Sequence, residues 1–238
     1  MTRKAHKITG RLMPSGKNKT KIMVKHLLSL RYHKALQRSY RLEKFDEYSM
    51  IFIHIPKAAG TAVNQGLFGR LAGLGHVSCE KYLQIYGRVR FDSMFKFTIT
   101  RNPYDRFVSA YEYLKKGGNN SHDLLFHDTF VSKFRDFEDF VINGFAKDCK
   151  IRNHIHFKKQ TDFILVDGKV SVDFIGRHEN IQKDYHYIAS MIHDARELKS
   201  INTSQRDKSF ESYFLNPQVK NVVRDFYELD FRILSYEP

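Results

Sequence analysis

Residues 51–62 read IFIHIPKAAGTA, and this stretch decides the fold. The apolar run from Ile51 to Ile55 has the length of a strand. Pro56 and Gly60 then bracket a tight turn that carries Lys57. Val63, Leu67 and Leu71 follow at four-residue steps, the spacing of one helix face. The pattern predicts a buried strand, a lysine-bearing loop, and a helix over 61–71. The first backbone N–H groups of such a helix lack intrahelical partners and sit at the positive end of its dipole. Phosphate and sulfate groups suit that geometry. Lys57 adds a point charge and Thr61 a hydroxyl. The loop is not a Walker A sequence, which needs Gly-x-x-x-x-Gly-Lys followed by Ser or Thr.

The same alternation recurs downstream. Residues 95–100 (FKFTIT) read as a second strand. Asn102 and Pro103 start a helix to residue 116, asparagine as N-cap and proline at the first helical position. Phe107, Tyr111 and Leu114 form its buried face, and Gly117-Gly118 stops it. A helix over 134–146 follows, then strands over 162–166 and 172–176 joined by the turn Asp167-Gly168. Helices over 180–192 and 217–226 complete the pattern. Strand–helix alternation with anion loops after strands predicts an α/β fold. The expected architecture is a P-loop-like three-layer sandwich around a central parallel sheet, with ligand at the strands' carboxyl ends.

Charge separates the chain into two parts. The net charge of +14 resembles that of a nucleic-acid binder. Yet residues 1–44 hold thirteen Lys/Arg against one acid, Glu43, leaving only +2 for the other 194 residues. The excess therefore belongs to a basic arm, residues 1–48, ahead of a body, residues 49–238. Within the arm, residues 21–41 interleave apolar and basic positions as a basic amphipathic helix would. That suits an anionic membrane surface or an acidic acceptor, or a solvated helix. No specific nucleic acid is expected. The 20 Phe and 13 Tyr argue for a packed body, and two cysteines provide neither a disulfide framework nor a metal set. No run approaches the ~18 apolar residues of a membrane span, and no signal-peptide core is present.

Three ordered segments resemble the carbohydrate sulfotransferases, which transfer sulfate from 3′-phosphoadenosine-5′-phosphosulfate (PAPS). Residues 54–61 (HIPKAAGT) are similar to that family's 5′-phosphosulfate loop. Residues 95–111 (FKFTITRNPYDRFVSAY) are similar to its 3′-phosphate motif, and residues 172–181 (VDFIGRHENI) to a later strand and turn. The resemblance implies PAPS as co-substrate with no metal, and a saccharide or glycoconjugate hydroxyl as acceptor. Golgi members of the family carry a membrane anchor. Its absence here implies a cytoplasmic, bacterial enzyme, peripheral on the membrane if the arm binds lipid. Two departures stand out: Ala62 replaces a frequent serine, and Tyr104 a frequent tryptophan.

On this reading Lys57 is catalytic and holds the transferring sulfate, together with Ala59, Gly60, Thr61 and Ala62. Arg101, directly after an apolar strand, needs an anion or its neighbour Asp105 to offset its burial. With Ser109, eight residues on, it matches the family's 3′-phosphate pair, while Arg106 reads as a salt-bridging helix residue. Histidine is the natural base. His76 lies in the interval where family members carry theirs; Glu80 could orient it or replace it, and His54 reads as its supporting neighbour. His154-x-His156 could be a metal pair, but nothing nearby by spacing completes a site. Gln160 is similar in position to acceptor-groove residues, Arg177 and Glu179 suggest an ion pair, and residues 201–206 resemble a donor-side loop. Two other classes compete. A P-loop kinase would need ATP-Mg²⁺ and lacks its motifs; a basic polyanion- or membrane-binding module would use only the arm and leaves Lys57, Arg101 and Ser109 unexplained.

Overall fold

The computed structural model describes residues 40–198 and 208–238. The expectations for arm residues 1–39 and for residues 201–206 fall on other residues. Residues 42–238 form one compact unit. It opens with helical residues 42–48, which place Leu42 and Phe45 in the core. Strand β1 (Met50–Ile53) leads into helix α1 (Gly60–Phe68). Helices α2 (Cys79–Tyr86) and α3 (Arg88–Ser93) precede strand β2 (Phe95–Thr100) and helix α4 (Pro103–Lys115). Helix α5 (Ser121–Phe126) follows. Farther on come the short strands β3 (Leu165–Val166) and β4 (Lys169–Val170), and strand β5 (Phe174–Arg177). Helices α6 (Ile181–Ala189), α7 (Pro217–Phe226) and α8 (Glu228–Leu234) close the chain.

The central sheet is parallel, in the order β1-β2-β5. Phe52 pairs in register with Phe97, their rings stacked 5.0 Å apart, and Thr100 pairs with Arg177. Side chains alternate across a sheet, and every residue of β1 and nearly all of β2 is buried, so both faces are covered. That is the layered α/β arrangement expected. The two buried threonines of β2 remain satisfied: the Thr98 hydroxyl donates to the Ile53 carbonyl at 2.7 Å, and that of Thr100 to Gly176 at 3.1 Å. All three strands point their carboxyl ends the same way, toward residues 54–60, 101–103 and 178–180.

Several boundaries differ from expectation. Helix α1 stops at Phe68, because Gly69 takes a left-handed conformation (φ 66°); Leu71 lies outside it and is exposed. The span 134–146 is a turn over Phe137–Asp139 followed by a wider π-helical stretch, Phe140–Phe145. Residues 161–164 are helical and not a strand, because Asp230, fully buried, draws that turn closed. Its carboxylate accepts from the Gln160 and Thr161 N–H groups at 2.8 and 2.9 Å, and from the Thr161 hydroxyl at 2.7 Å. The Asp167-Gly168 turn therefore joins β3 to β4 as a small antiparallel hairpin, and β5 pairs with β2.

Candidate functional site

The loop after β1 is built on two left-handed, non-glycine residues, Lys57 (φ 68°) and Ala59 (φ 62°). Each such conformation costs about 1 kcal/mol, so packing must hold it. Ala59 is the residue before α1, and no side chain caps the helix. The N–H groups of Gly60, Thr61 and Ala62 occupy its first turn, whose donors have no partner within the helix. Thr61 is exposed and Ala62 half-buried. Gly60 is required by a close approach: a Cβ there would lie 1.9 Å from His54 Cδ2. The His54 ring thus lies directly on the start of the helix.

Arg101 lies at the end of the neighbouring strand, 8% exposed. Its Nε donates to Asp105 at 2.7 Å and its Nη1 to the Lys57 carbonyl at 3.1 Å, which ties the two loops together. The Asp105 pairing left open by the sequence is therefore real. Asn102 caps α4, its side chain accepting from Tyr104 N–H at 2.9 Å, as Asn-Pro implies. Gln160 is not a groove residue. It is fully buried and clamps the Arg101 backbone from both sides: its Oε1 accepts from Arg101 N–H at 3.0 Å, and its Nε2 donates to the Arg101 carbonyl at 2.8 Å. Ser109 is buried within α4, two turns from Arg101.

His76 closes over the first loop. Its Nδ1 lies 3.0 Å from the His54 carbonyl, and the two rings are 4.4 Å apart. A carbonyl can only accept, so Nδ1 carries the proton, and Nε2 of the neutral ring, with no hydrogen-bond partner among the described residues, keeps its lone pair for accepting a proton. Burial lowers the His76 pKa, helped by Lys57; the His54 carbonyl and Asp123 oppose the shift. Burial also drives His54 down to about 3, so it remains neutral. Glu80 is exposed in the first turn of α2, and the carbonyl of His54 takes the orienting part considered for it.

Four residues that sequence reasoning did not assemble complete the cluster. The Lys57 ammonium lies over the Tyr113 ring, 3.9 Å from its centroid. The Tyr113 hydroxyl donates to Asp123 at 2.7 Å. His156 and His154 face the same carboxylate, Nε2 to Oδ1 distances being 3.5 and 3.8 Å. The His156 ring stands 5.9 Å from His76 and 4.9 Å from Tyr113. Burial lowers the pKa of His156 to about 3, with Asp123 opposing. Burial alone would raise the Asp123 carboxyl, but Tyr113, His156, Asn120 and His154 together hold it below its ordinary value. His-x-His was the only sequence hint; its partners lie some thirty residues away along the chain.

Arg106 makes no salt bridge among the described residues, contrary to the sequence expectation. It is fully buried, packs against the Tyr227 ring, and donates to the carbonyls of His156 and Lys158, which fixes the segment that presents the two histidines. Arg177 and Glu179 take separate partners. Arg177 donates to the Leu234 and Ser235 carbonyls, each at 2.9 Å. Glu179 accepts from Asn102 N–H at 2.7 Å and from the Tyr236 hydroxyl at 3.0 Å. Among the described residues no cluster of three or more His, Cys, Asp or Glu has the placement to hold a metal ion, and no helix is long and apolar enough to cross a membrane.

The chain is 25% identical to carbohydrate sulfotransferase 9 of Homo sapiens over 234 residues, 80% of this chain and 52% of the human protein. It therefore spans about half the length of that relative. It is 33% identical to an uncharacterized protein of Archaeoglobus fulgidus over 122 residues, 51% of this chain and 87% of the other. No solved structure matches it significantly. The model of the sulfotransferase family matches residues 41–237, across the loops after β1 and β2 and all three sheet strands, and the chain belongs to that family.

Proposed function

We propose that this chain transfers the sulfuryl group of PAPS to a hydroxyl of a saccharide or glycoconjugate, without a metal. The observation that carries the reading is the Arg101–Lys57 hydrogen bond, which joins two anion loops at the ends of adjacent parallel strands. A donor with phosphosulfate at one end and 3′-phosphate at the other needs two such loops. The P-loop-like first loop would take the sulfate on Lys57, the N–H groups of Ala59, Gly60, Thr61 and Ala62, and the Thr61 hydroxyl. Arg101 would turn its Nη2 edge, which makes no hydrogen bond among the described residues, to the 3′-phosphate, with Ser109 beside it.

In the step itself the acceptor oxygen attacks sulfur in line as the bond from sulfur to the 5′-phosphate oxygen breaks. The acceptor proton passes to His76 Nε2. Charge on the departing 3′,5′-bisphosphoadenosine is met by Lys57 and the first turn of α1. The open Nε2 and the lowered pKa of His76 suit this role, because the ring is neutral at neutral pH. The saccharide assignment draws on the human relative's name and on the aromatic and imidazole groups beside Lys57. The enzyme domain is assigned to residues 49–238 together with helical residues 42–48, which pack into its core.

Calorimetric titration with 3′,5′-bisphosphoadenosine, run beside ATP-Mg²⁺ on wild type and Arg101→Ala, tests the reading. Saturable bisphosphate binding that collapses in the variant, with ATP far weaker, is expected. Equal or tighter ATP binding, or no nucleotide binding by the folded chain, would overturn it.

A further inference from the structure

We infer that Tyr113 is a positioning residue for Lys57, and that the loop after α4 exists to hold the Tyr113 ring beneath the lysine ammonium. The inference rests on the assignment of Lys57 above. The ring is not loosely placed. Its hydroxyl donates to Asp123 Oδ2 at 2.7 Å and accepts from Asn119 N–H at 2.9 Å, so the phenol is gripped from two directions. Asp123 is itself held: Asn120 Nδ2 donates to it at 2.6 Å, and the Asn120 side chain caps α5, accepting from the N–H groups of His122 and Asp123 at 3.0 Å each.

The chain must double back to make this grip, and two glycines in left-handed conformation allow it, Gly117 (φ 83°) and Gly118 (φ 65°). At Gly118 the approach is also tight, because a Cβ would lie 2.3 Å from that of Asp123. The Gly118 N–H closes the turn onto the Tyr113 carbonyl at 3.0 Å. An aromatic face within about 6 Å of a cation attracts it, more strongly where water is partly excluded. At 3.9 Å the Tyr113 face therefore restricts where the Lys57 ammonium can go. Lysine has four rotatable carbons and a high rotamer entropy, so a platform of this kind lowers the cost of directing it at a single oxygen.

The ring also lies against the His156 imidazole, and Asp123 faces both. The Lys57 cation and the His156 imidazole thus share one support. That arrangement predicts a loss in turnover more than in donor affinity, because the bisphosphate keeps its other contacts.

The test compares wild type, Tyr113→Phe and Tyr113→Leu as full chains carrying ¹³C-labelled lysine. The Lys57 ε-methylene resonance is identified by its disappearance in Lys57→Arg. Ring current should move it upfield of the other lysines in wild type and in Tyr113→Phe, and return it among them in Tyr113→Leu. In sulfate transfer, Tyr113→Leu should lower kcat about tenfold with the donor KM changed less than about twofold, and Tyr113→Phe, which keeps the ring but loses the grip on its hydroxyl, should fall between wild type and the leucine variant. A Lys57 resonance lying among the other lysines in wild type would overturn the inference even if the leucine variant fails to fold. So would equal kcat in the phenylalanine and leucine variants. The spectrum is read without substrate, so it is decided separately from the donor assignment, which the bisphosphate titration decides.

Discussion

Replacing Gly60 with alanine probes the packing on which the first loop depends. Gly60 does not have a positive φ, so alanine meets no backbone strain there. Helix propensity by itself would favour alanine by up to about 1 kcal/mol. The obstacle is the His54 ring, since the new methyl would lie 1.9 Å from Cδ2 and 2.1 Å from Nε2. Carbon atoms rest about 3.5–4.0 Å apart, so ring or helix must shift by more than an ångström. The ring has little room to withdraw. It stacks on Phe52 at 5.6 Å, and the His76 ring stands at 4.4 Å. Overpacking of this kind costs about 1–3 kcal/mol, and that is the destabilisation expected for Gly60→Ala. In a His54→Ala background the clash is gone, and the same change should be neutral or slightly stabilising. The coupling between the two sites should therefore be about 2 kcal/mol. Urea unfolding of the four proteins, followed by circular dichroism, measures it. Equal cost of Gly60→Ala in both backgrounds would refute the packing argument.

Lys57→Ala should lower the rate of sulfate transfer at least about a hundredfold while the protein stays folded, the usual effect of losing one well-placed charge stabiliser; a loss below tenfold would count against its role. The acid limb of the kcat profile should lie below pH ~6.5, because burial lowers the pKa of His76 and protonation removes the base; activity persists through the ordinary histidine range and falls as pH drops through the lowered value. A limb at or above ~6.5, or one unchanged in His76→Gln, would exclude His76 as the base. Asp230→Asn sets an amide among the three donors that the carboxylate now satisfies, and should cost about 2–4 kcal/mol in urea unfolding. Through Gln160 it should also weaken bisphosphate binding; unchanged stability would show that the turn over 161–164 does not depend on the carboxylate.

The parts of the site legible in the sequence are those that local chemistry specifies. An apolar run followed by Pro56, Lys57 and Gly60 defines strand, loop and helix within a dozen residues. Asn102 and Pro103 mark a helix start wherever they fall together, and the structure bears them out as cap and first residue. The elements misread were those whose state depends on a distant partner. Residues 161–164 have strand composition, yet Asp230, some seventy residues away, makes them helical. Gln160 reads as a groove residue and Arg106 as a salt-bridging helix residue, but they are buried supports for the Arg101 backbone and the His156 segment.

By itself, then, the sequence determined the family and the two loops that follow β1 and β2. Hydrogen-bonding needs at helix starts and the alternation of strand and helix are short-range and appear as short-range patterns. Only the tertiary structure decided how the proposed catalytic groups are held. His54 against Gly60, His76 on the His54 carbonyl, and Lys57 on a Tyr113 ring gripped by Asp123 are contacts between segments 6 to 56 residues apart. Such contacts form because parallel strands bring their carboxyl ends to one edge. There, burial and shape choose the neighbours, and linear spacing records neither.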